Sequence, residues 1–192
     1  CTTAKIPTDN LRNITGKFVR VVGGSKRAGR GNSRIAGRSG IRNAKNIGRF
    51  LGSFSSNGGN LSEALKAIGL TDLKSKSAED IINHLIEYCS GPASTIDDSA
   101  AKEATRRLLE ELSAGTETAE DLETSLKSTL DSESLEEVII KYFSYYVLEH
   151  LSIMFYEKLV ESKGKTECSS LFKQIKDFLN SSLAEMNKTN SL

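Results

Sequence analysis

Apolar residues recur at helical spacing through almost the whole of this 192-residue chain, and no segment alternates polar and apolar residues as a strand would. Several of these segments begin with a residue that can cap a helix, followed three positions later by an acid that can complete a capping pair. Ser77 with Asp80, Thr118 with Asp121, and Ser134 with Glu137 are such pairs, and Asn60 can cap a shorter helix. The sequence therefore predicts an all-α fold, a helical bundle of about six helices with a basic, Gly/Arg-rich helical arm at its N-terminus.

The longest predicted helix covers about Leu135–Ser162, and a last helix follows over about Thr166–Met186. Six of the twelve aromatic residues fall between Tyr142 and Tyr156, so we expect the long helix to organise the core. One face of this helix is predicted to be the most buried, and it consists of Ile140, Phe143, Val147, Leu151, Met154 and Leu159. Four neighbouring residues are predicted to widen it: Ile139, Tyr142, Tyr146 and Ile153. Another helix is predicted from about Asp98 to Ser113.

Charge divides the chain into two parts. Residues 1–57 hold 12 Lys and Arg against one acid, Asp9, whereas residues 58–192 hold 14 Lys and Arg against 24 Asp and Glu. The cluster Ser55–Gly59 between them reads as a linker. We therefore predict a basic arm over 1–57, including a short amphipathic helix over Thr8–Val22, and an acidic helical domain over 58–192.

The arm carries a basic ridge in which cationic residues follow one another at helical steps: Arg27, Arg30, Arg34, Arg38, Arg42, Lys45 and Arg49. A helix drawn over Ser33–Phe54 places small residues on a second face, namely Gly37, Gly40, Ala44, Gly48 and Gly52. Its third face holds Ile47, Phe50, Leu51 and Phe54, of which the last three are predicted to anchor the arm to a partner. Each glycine costs a helix about 1 kcal/mol relative to alanine, so this helix is expected to form by packing against another surface.

Two uses of the ridge fit the sequence. It could bind a nucleic-acid backbone, where each phosphate neutralised releases counterions, although the segment has few aromatic residues on which bases could stack. It could instead dock on an acidic protein surface, either the chain's own body or another protein, and gain its helical shape there. The densest acidic zone that could receive it comprises Glu110, Glu111, Glu117, Glu120, Asp121 and Glu123.

The sequence offers little for catalysis. The glycines after Val22 match neither a phosphate-binding loop nor a dinucleotide fingerprint, since Arg30-Gly31 stands where Lys-Ser/Thr is required. His84 and Cys89 are five residues apart on poorly matched helix faces, and we interpret them as a half-buried histidine and a core cysteine. His150 is interpreted as a core or interface histidine. We therefore predict no catalytic residue, no metal and no cofactor.

Three widely spaced cysteines, Cys1, Cys89 and Cys168, show no disulfide or zinc spacing and favour a reducing, cytoplasmic environment. No apolar run approaches the ~20 residues that span a bilayer, so we expect no membrane partner.

One order of motifs resembles a known family. The run GGSKRAGRGNSRIAGRSGIRNAKNIGRFLGSF ends in Gly-Arg-Phe-Leu. A Glu-Ala-Leu helix, a Gly-Leu-x-x-Leu turn, an Ala-Glu-Asp helix, Cys-x-Gly and Thr-Ile-Asp-Asp follow. This order resembles the QatB family, a component of the four-protein Qat anti-phage defence system of bacteria, closely over about Ile14–Leu112 and more loosely to the C-terminus.

The resemblance implies a non-enzymatic role in defence. It implies direct binding to QatC, a QueC-like enzyme of 7-deazaguanine chemistry, in a system that also contains an ATPase and a TatD-like nuclease as further partners. Family members begin Met-Gly with a Gly/Pro-rich tail, and a QueC-like enzyme could join a deazaguanine group to such an N-terminus. This chain starts at Cys1, so the acceptor is expected to lie outside it.

Overall fold

The computed structural model describes residues 37–71 and 76–190. The predicted helix over Thr8–Val22, and Arg27, Arg30 and Arg34 of the basic ridge, lie outside these residues. In the described part the chain forms seven helices and no strand, which confirms the all-α prediction. They are α1 (Arg38–Ser56), α2 (Leu61–Ala67), α3 (Ala78–Ser90), α4 (Ile96–Leu112), α5 (Ala119–Ser132), α6 (Leu135–Lys163) and α7 (Lys165–Asn190).

Local capping sets most of the helix starts, as the sequence predicts. Asn60 and Ser77 accept hydrogen bonds at the starts of α2 and α3, and full capping boxes open α5 at Thr118 and α6 at Ser134. The predicted start of α4 near Asp98 is wrong by two residues. Thr95 and Asp98 form a further capping box, so the helix begins at Ile96.

The main core lies where α1, α3, α4 and α6 meet, with Tyr142 of α6 as its largest fully buried side chain. Helix α1 is an integral part of this core, because Ile47, Phe50, Leu51 and Phe54 are each no more than 1% exposed. A second apolar cluster joins the later part of α6 to α7 and contains Leu148, Leu151, Cys168, Phe172, Ile175 and Leu179. Helix α6 therefore takes part in both cores.

The predicted buried face of α6 is partly wrong. Phe143 and Val147 are only half-buried, whereas Tyr142 and Tyr146, expected at the margin, are buried. Ile153, also expected to widen the buried face, is exposed. The reason is that α6 contacts α1 and α4 along one part of its length and α7 along another, so its buried surface changes direction along the helix.

The small-residue face of α1 lies against α6, and the two helices run antiparallel. A Cβ built on Gly40 would lie 2.7 Å from Cζ of Tyr146, whereas one on Gly48 would lie 3.9 Å from Ile139 and one on Gly52 4.0 Å from Leu135. Only Gly40 is thus required for the close approach. The ring of Tyr146 cannot easily move aside, since its hydroxyl is hydrogen-bonded on several sides.

We expect Gly40→Ala to lower the free energy of unfolding by about 1–2 kcal/mol, because overpacking against Tyr146 outweighs the gain in helix propensity. Gly48→Ala is the matched control in the same helix. It should raise stability by about 0.5–1 kcal/mol, since its Cβ meets only an ordinary van der Waals contact. Chemical denaturation of both variants measures the difference. Equal stabilisation by the two alanines would show that α1 does not lie this close to α6.

Candidate partner-docking surface

The outward side of α1 presents an exposed basic face, which we define as Arg38, Lys45 and Arg49. These three residues make no hydrogen bond or ion pair with any other described residue. Arg42, between them, differs because its Nη2 donates a 2.8 Å hydrogen bond to the carbonyl of Ser90 and lies 3.5 Å from Asp98. All four described residues of the basic ridge are therefore exposed, and three of them are without a described partner.

The inward side of α1 is occupied by the chain itself. Phe50, Leu51 and Phe54 anchor α1 to the helical body rather than standing on the surface. Contact of these three side chains with a partner would require α1 to leave the core, and their partner role remains a prediction. The arm in its described part is therefore already ordered on the chain's own body.

A polar cluster missed by the sequence analysis connects α1 to α3 and α4. Asn43 is completely buried, and its Nδ2 donates hydrogen bonds of 3.1 Å to Ser90 Oγ and to Thr105 Oγ1. Asn46 donates a 3.2 Å bond to the carbonyl of Cys89. A signal was present, since Asn43 interrupts an otherwise small and apolar helix face. These bonds fix the rotation of α1, and hence the direction in which its basic face points.

The N-terminus of α1 is capped from another helix. No side chain of α1 caps it, and Asp97 of α4 does so instead: it accepts hydrogen bonds from the backbone N–H of Ser39 at 3.0 Å and of Gly37 at 3.4 Å. A carboxylate here also interacts favourably with the positive end of the helix dipole. The neighbouring Asp98 accepts a 2.6 Å bond from Ser39 Oγ while capping its own helix.

Tyr146 and His150 of α6 also contact Asp97, and we call these three side chains the Asp97 hub. The Tyr146 hydroxyl donates to Asp97 and accepts the Gly37 N–H at 3.1 Å. Nε2 of His150, a residue that is 2% exposed, lies 3.1 Å from the Tyr146 hydroxyl and 3.4 Å from Asp97. The interpretation of His150 as a core histidine agrees with this burial. Its neighbours on α4 could not be identified from sequence because they are some 50 residues away.

The hub keeps Asp97 ionised. Partial burial, which would raise the pKa of Asp97, is outweighed by hydrogen bonds from His150, Tyr146 and Ser39, and the pKa falls to about 2. Burial and the bond to Asp97 raise the pKa of Tyr146 well above its usual range, so the phenol stays protonated and can donate. The hub therefore acts structurally, by holding the backbone at the start of α1.

Other reactive groups are dispersed. Cys89 is a buried free thiol whose burial raises its pKa to about 12, so it carries no thiolate at neutral pH. His84 is exposed rather than half-buried as predicted, and its Nδ1 lies 2.8 Å from the carbonyl of Asp80. Across the described ranges no three His, Cys, Asp or Glu side chains are grouped so that they could hold a metal ion.

The acidic zone does not receive the described cations of α1, contrary to one hypothesis from the sequence. Glu123 instead accepts the Leu61 N–H at 2.9 Å, Glu111 pairs with Lys141, and Asp121 caps α5. Only Arg42 forms an ion pair between α1 and the described body, and its acid is Asp98.

None of the described helices combines the length and apolar content that crossing a membrane requires.

Acid should destabilise the fold through Asp97. Its folded-state pKa of about 2 lies below the ordinary aspartate value of 3.8, so its stabilising contribution is complete above about pH 4 and is lost as the pH falls toward 2. We expect Asp97→Asn to be less stable at pH 7 and to lose less further stability between pH 4 and pH 2 than the parent. Urea denaturation across this range measures the slope, with Asp131→Asn on the exposed surface of α5 as control. A slope unchanged in Asp97→Asn would contradict the cap.

Comparison with known proteins supplies an identity for the fold. A family model described as Qat anti-phage system associated protein QatB matches residues 23–190, which include every described helix. Searches of curated proteins and of solved structures gave no match. Because the family match spans most of the chain, this protein belongs to the QatB family of the Qat anti-phage system.

Proposed function

We propose that this chain is a non-catalytic component of anti-phage defence that binds the QueC-like enzyme QatC through the exposed basic face of α1. The observation that carries the proposal is the arrangement of α1. Its inner side is held by the core, while Arg38, Lys45 and Arg49 point outward without a described partner. Family membership supplies the defence context.

The basic face is pre-organised for binding. Helix α1 is held before any partner arrives, by polar contacts at Asn43 and Asp97 and by the burial of Phe50. Association therefore loses little conformational entropy through ordering of α1. Three cations at helical spacing also produce a local positive field, which accelerates encounter with an acidic surface. This replaces the idea that the described part of the arm becomes helical only on its partner.

We further propose that the N-terminal tail of the longer protein is the substrate of QatC, receiving a 7-deazaguanine-type group at its N-terminus. The structure supports this through the position of Gly37. The Asp97 hub holds the backbone there, so the preceding chain starts from a defined point beside α1. The helical body would then present the tail while the basic face holds the enzyme. The ATPase and the TatD-like nuclease would act as further components.

Reversing the basic face should weaken the complex. We expect the triple variant R38E/K45E/R49E to bind QatC at least about tenfold more weakly, mainly through slower association, with reduced dependence on salt. The matched control is K76E/K165E/K173E, which makes the same charge change at exposed lysines elsewhere. Surface plasmon resonance at several salt concentrations gives the rates. Equal affinity in the triple variant and the control would exclude this face as the docking site. In a gel-shift assay, binding of DNA or RNA that is lost only in the triple variant would support a nucleic-acid module instead.

The substrate proposal has a separate test. The protein carrying its natural N-terminus should gain the mass of one deazaguanine adduct when incubated with QatC, ATP and a 7-deazaguanine carboxylate. Omitting ATP is the control, because activation of the carboxylate requires it. A stable complex whose mass never changes would leave docking intact and remove the substrate role.

A further inference from the structure

Helices α6 and α7 are joined by a single residue. Gly164 alone separates Lys163 at the end of α6 from Lys165 at the start of α7. Antiparallel helix pairs are usually connected by about two to five residues, so this turn leaves the chain very little choice of path. The backbone angles of Gly164, φ 83° and ψ 159°, lie in a region that is essentially restricted to glycine. The closed turn therefore depends on the absence of a side chain at residue 164.

Helix α7 packs chiefly against α6, and the two helices run antiparallel. Near the turn, the ring centroids of Phe172 and Tyr156 are 6.0 Å apart, and further from it Nζ of Lys176 donates a 3.1 Å hydrogen bond to the Tyr145 hydroxyl. The apolar contacts between the two helices form the second cluster, which is separate from the main core. Helix α7 is thus attached through one largely self-contained interface.

We propose that two copies of this chain exchange α7, with Gly164 as the hinge. If the backbone of Gly164 became helical, α6 and α7 would join into one helix from Leu135 to Asn190, about 80 Å long. Each α7 would then pack on α6 of the other copy. A second copy is the partner that this interface fits, because the same sequence reproduces every contact that α7 makes within one chain.

The hinge decides the balance between the closed monomer and the exchanged dimer. The contacts between α6 and α7 are the same in both forms, so they favour neither. The two forms differ in the conformation of residue 164, and a very short connection between packed elements favours exchange. Because joining two copies depends on concentration, the dimer gains on the monomer as the protein concentration rises.

Size-exclusion chromatography with light scattering, up to millimolar protein concentration, tests the proposal. The unaltered chain should form more dimer as its concentration rises. Gly164→Ala should raise the dimerisation constant at least about tenfold, because alanine strains the closed turn and suits a continuous helix. Gly115→Ala is the matched control. Gly115 also has a positive φ, 76°, and open space around an added Cβ, but it lies in the longer turn between α4 and α5. This control should lose stability without a change in mass.

Two further measurements distinguish exchange from simple association. Insertion of Gly-Ser-Gly after Gly164 should leave the chain monomeric, because a longer turn closes without constraint. Isotope-labelled and unlabelled copies of the unaltered chain, unfolded together and refolded, should form mixed dimers. An isotope-filtered NOE should then join Tyr156 of one copy to Phe172 of the other.

A mass that stays monomeric in the unaltered chain at every concentration would overturn the proposal, whatever Gly164→Ala does. A dimer in which the contact between Tyr156 and Phe172 stays within one copy would show association without exchange and would overturn it too. Persistence of the dimer after the insertion would exclude Gly164 as the hinge. These measurements use this chain alone, so their outcome does not depend on the binding of QatC.

Discussion

The close approach of α1 to α6 at Gly40 is the constraint on which the other features of α1 depend. A glycine at this position lets the Tyr146 ring lie against the helix backbone, and that places the Tyr146 hydroxyl at the first turn of α1. The hydroxyl in turn meets Asp97 of α4, so three helices are joined at one point. If residue 40 carried a Cβ, neither the cap on α1 nor the burial of its apolar face could form at this separation.

The surface chemistry of the molecule follows from this arrangement. Because the inner side of α1 is taken up by Phe50, Leu51, Phe54 and Asn43, its charged residues can only face outward. Several acids of the body, such as Glu123 and Asp121, are engaged in capping and in local ion pairs, and among the described acids only Asp98 pairs with a described cation of α1, Arg42. A QatB-family protein with a formal charge of only +1 thereby keeps a concentrated positive face.

Features governed by near neighbours in sequence could be predicted, and those governed by tertiary contacts could not. The caps at Thr118 and Ser134 involve residues three apart and were predicted correctly. The cap on α1 comes from Asp97, about 60 residues away, and nothing in the sequence around Gly37 indicates it. The buried face of α6 was predicted partly wrongly. Periodicity shows which side of a helix is apolar, but it does not show which neighbouring helix covers each part of that side. The exposed side of α1 was identified, whereas its anchoring to the chain's own body depended on the three-dimensional packing of Phe50 and Phe54.

The cross-helix cap also has a mechanical consequence. Tension applied to the chain before Gly37 would act first on the backbone bonds to Asp97 and Tyr146, and these two side chains lie on different helices. The load would therefore be shared between α4 and α6 instead of peeling α1 away one turn at a time. A partner that grips and pulls the preceding segment would find a firm anchorage, and the core beneath would remain undisturbed until both attachments had broken.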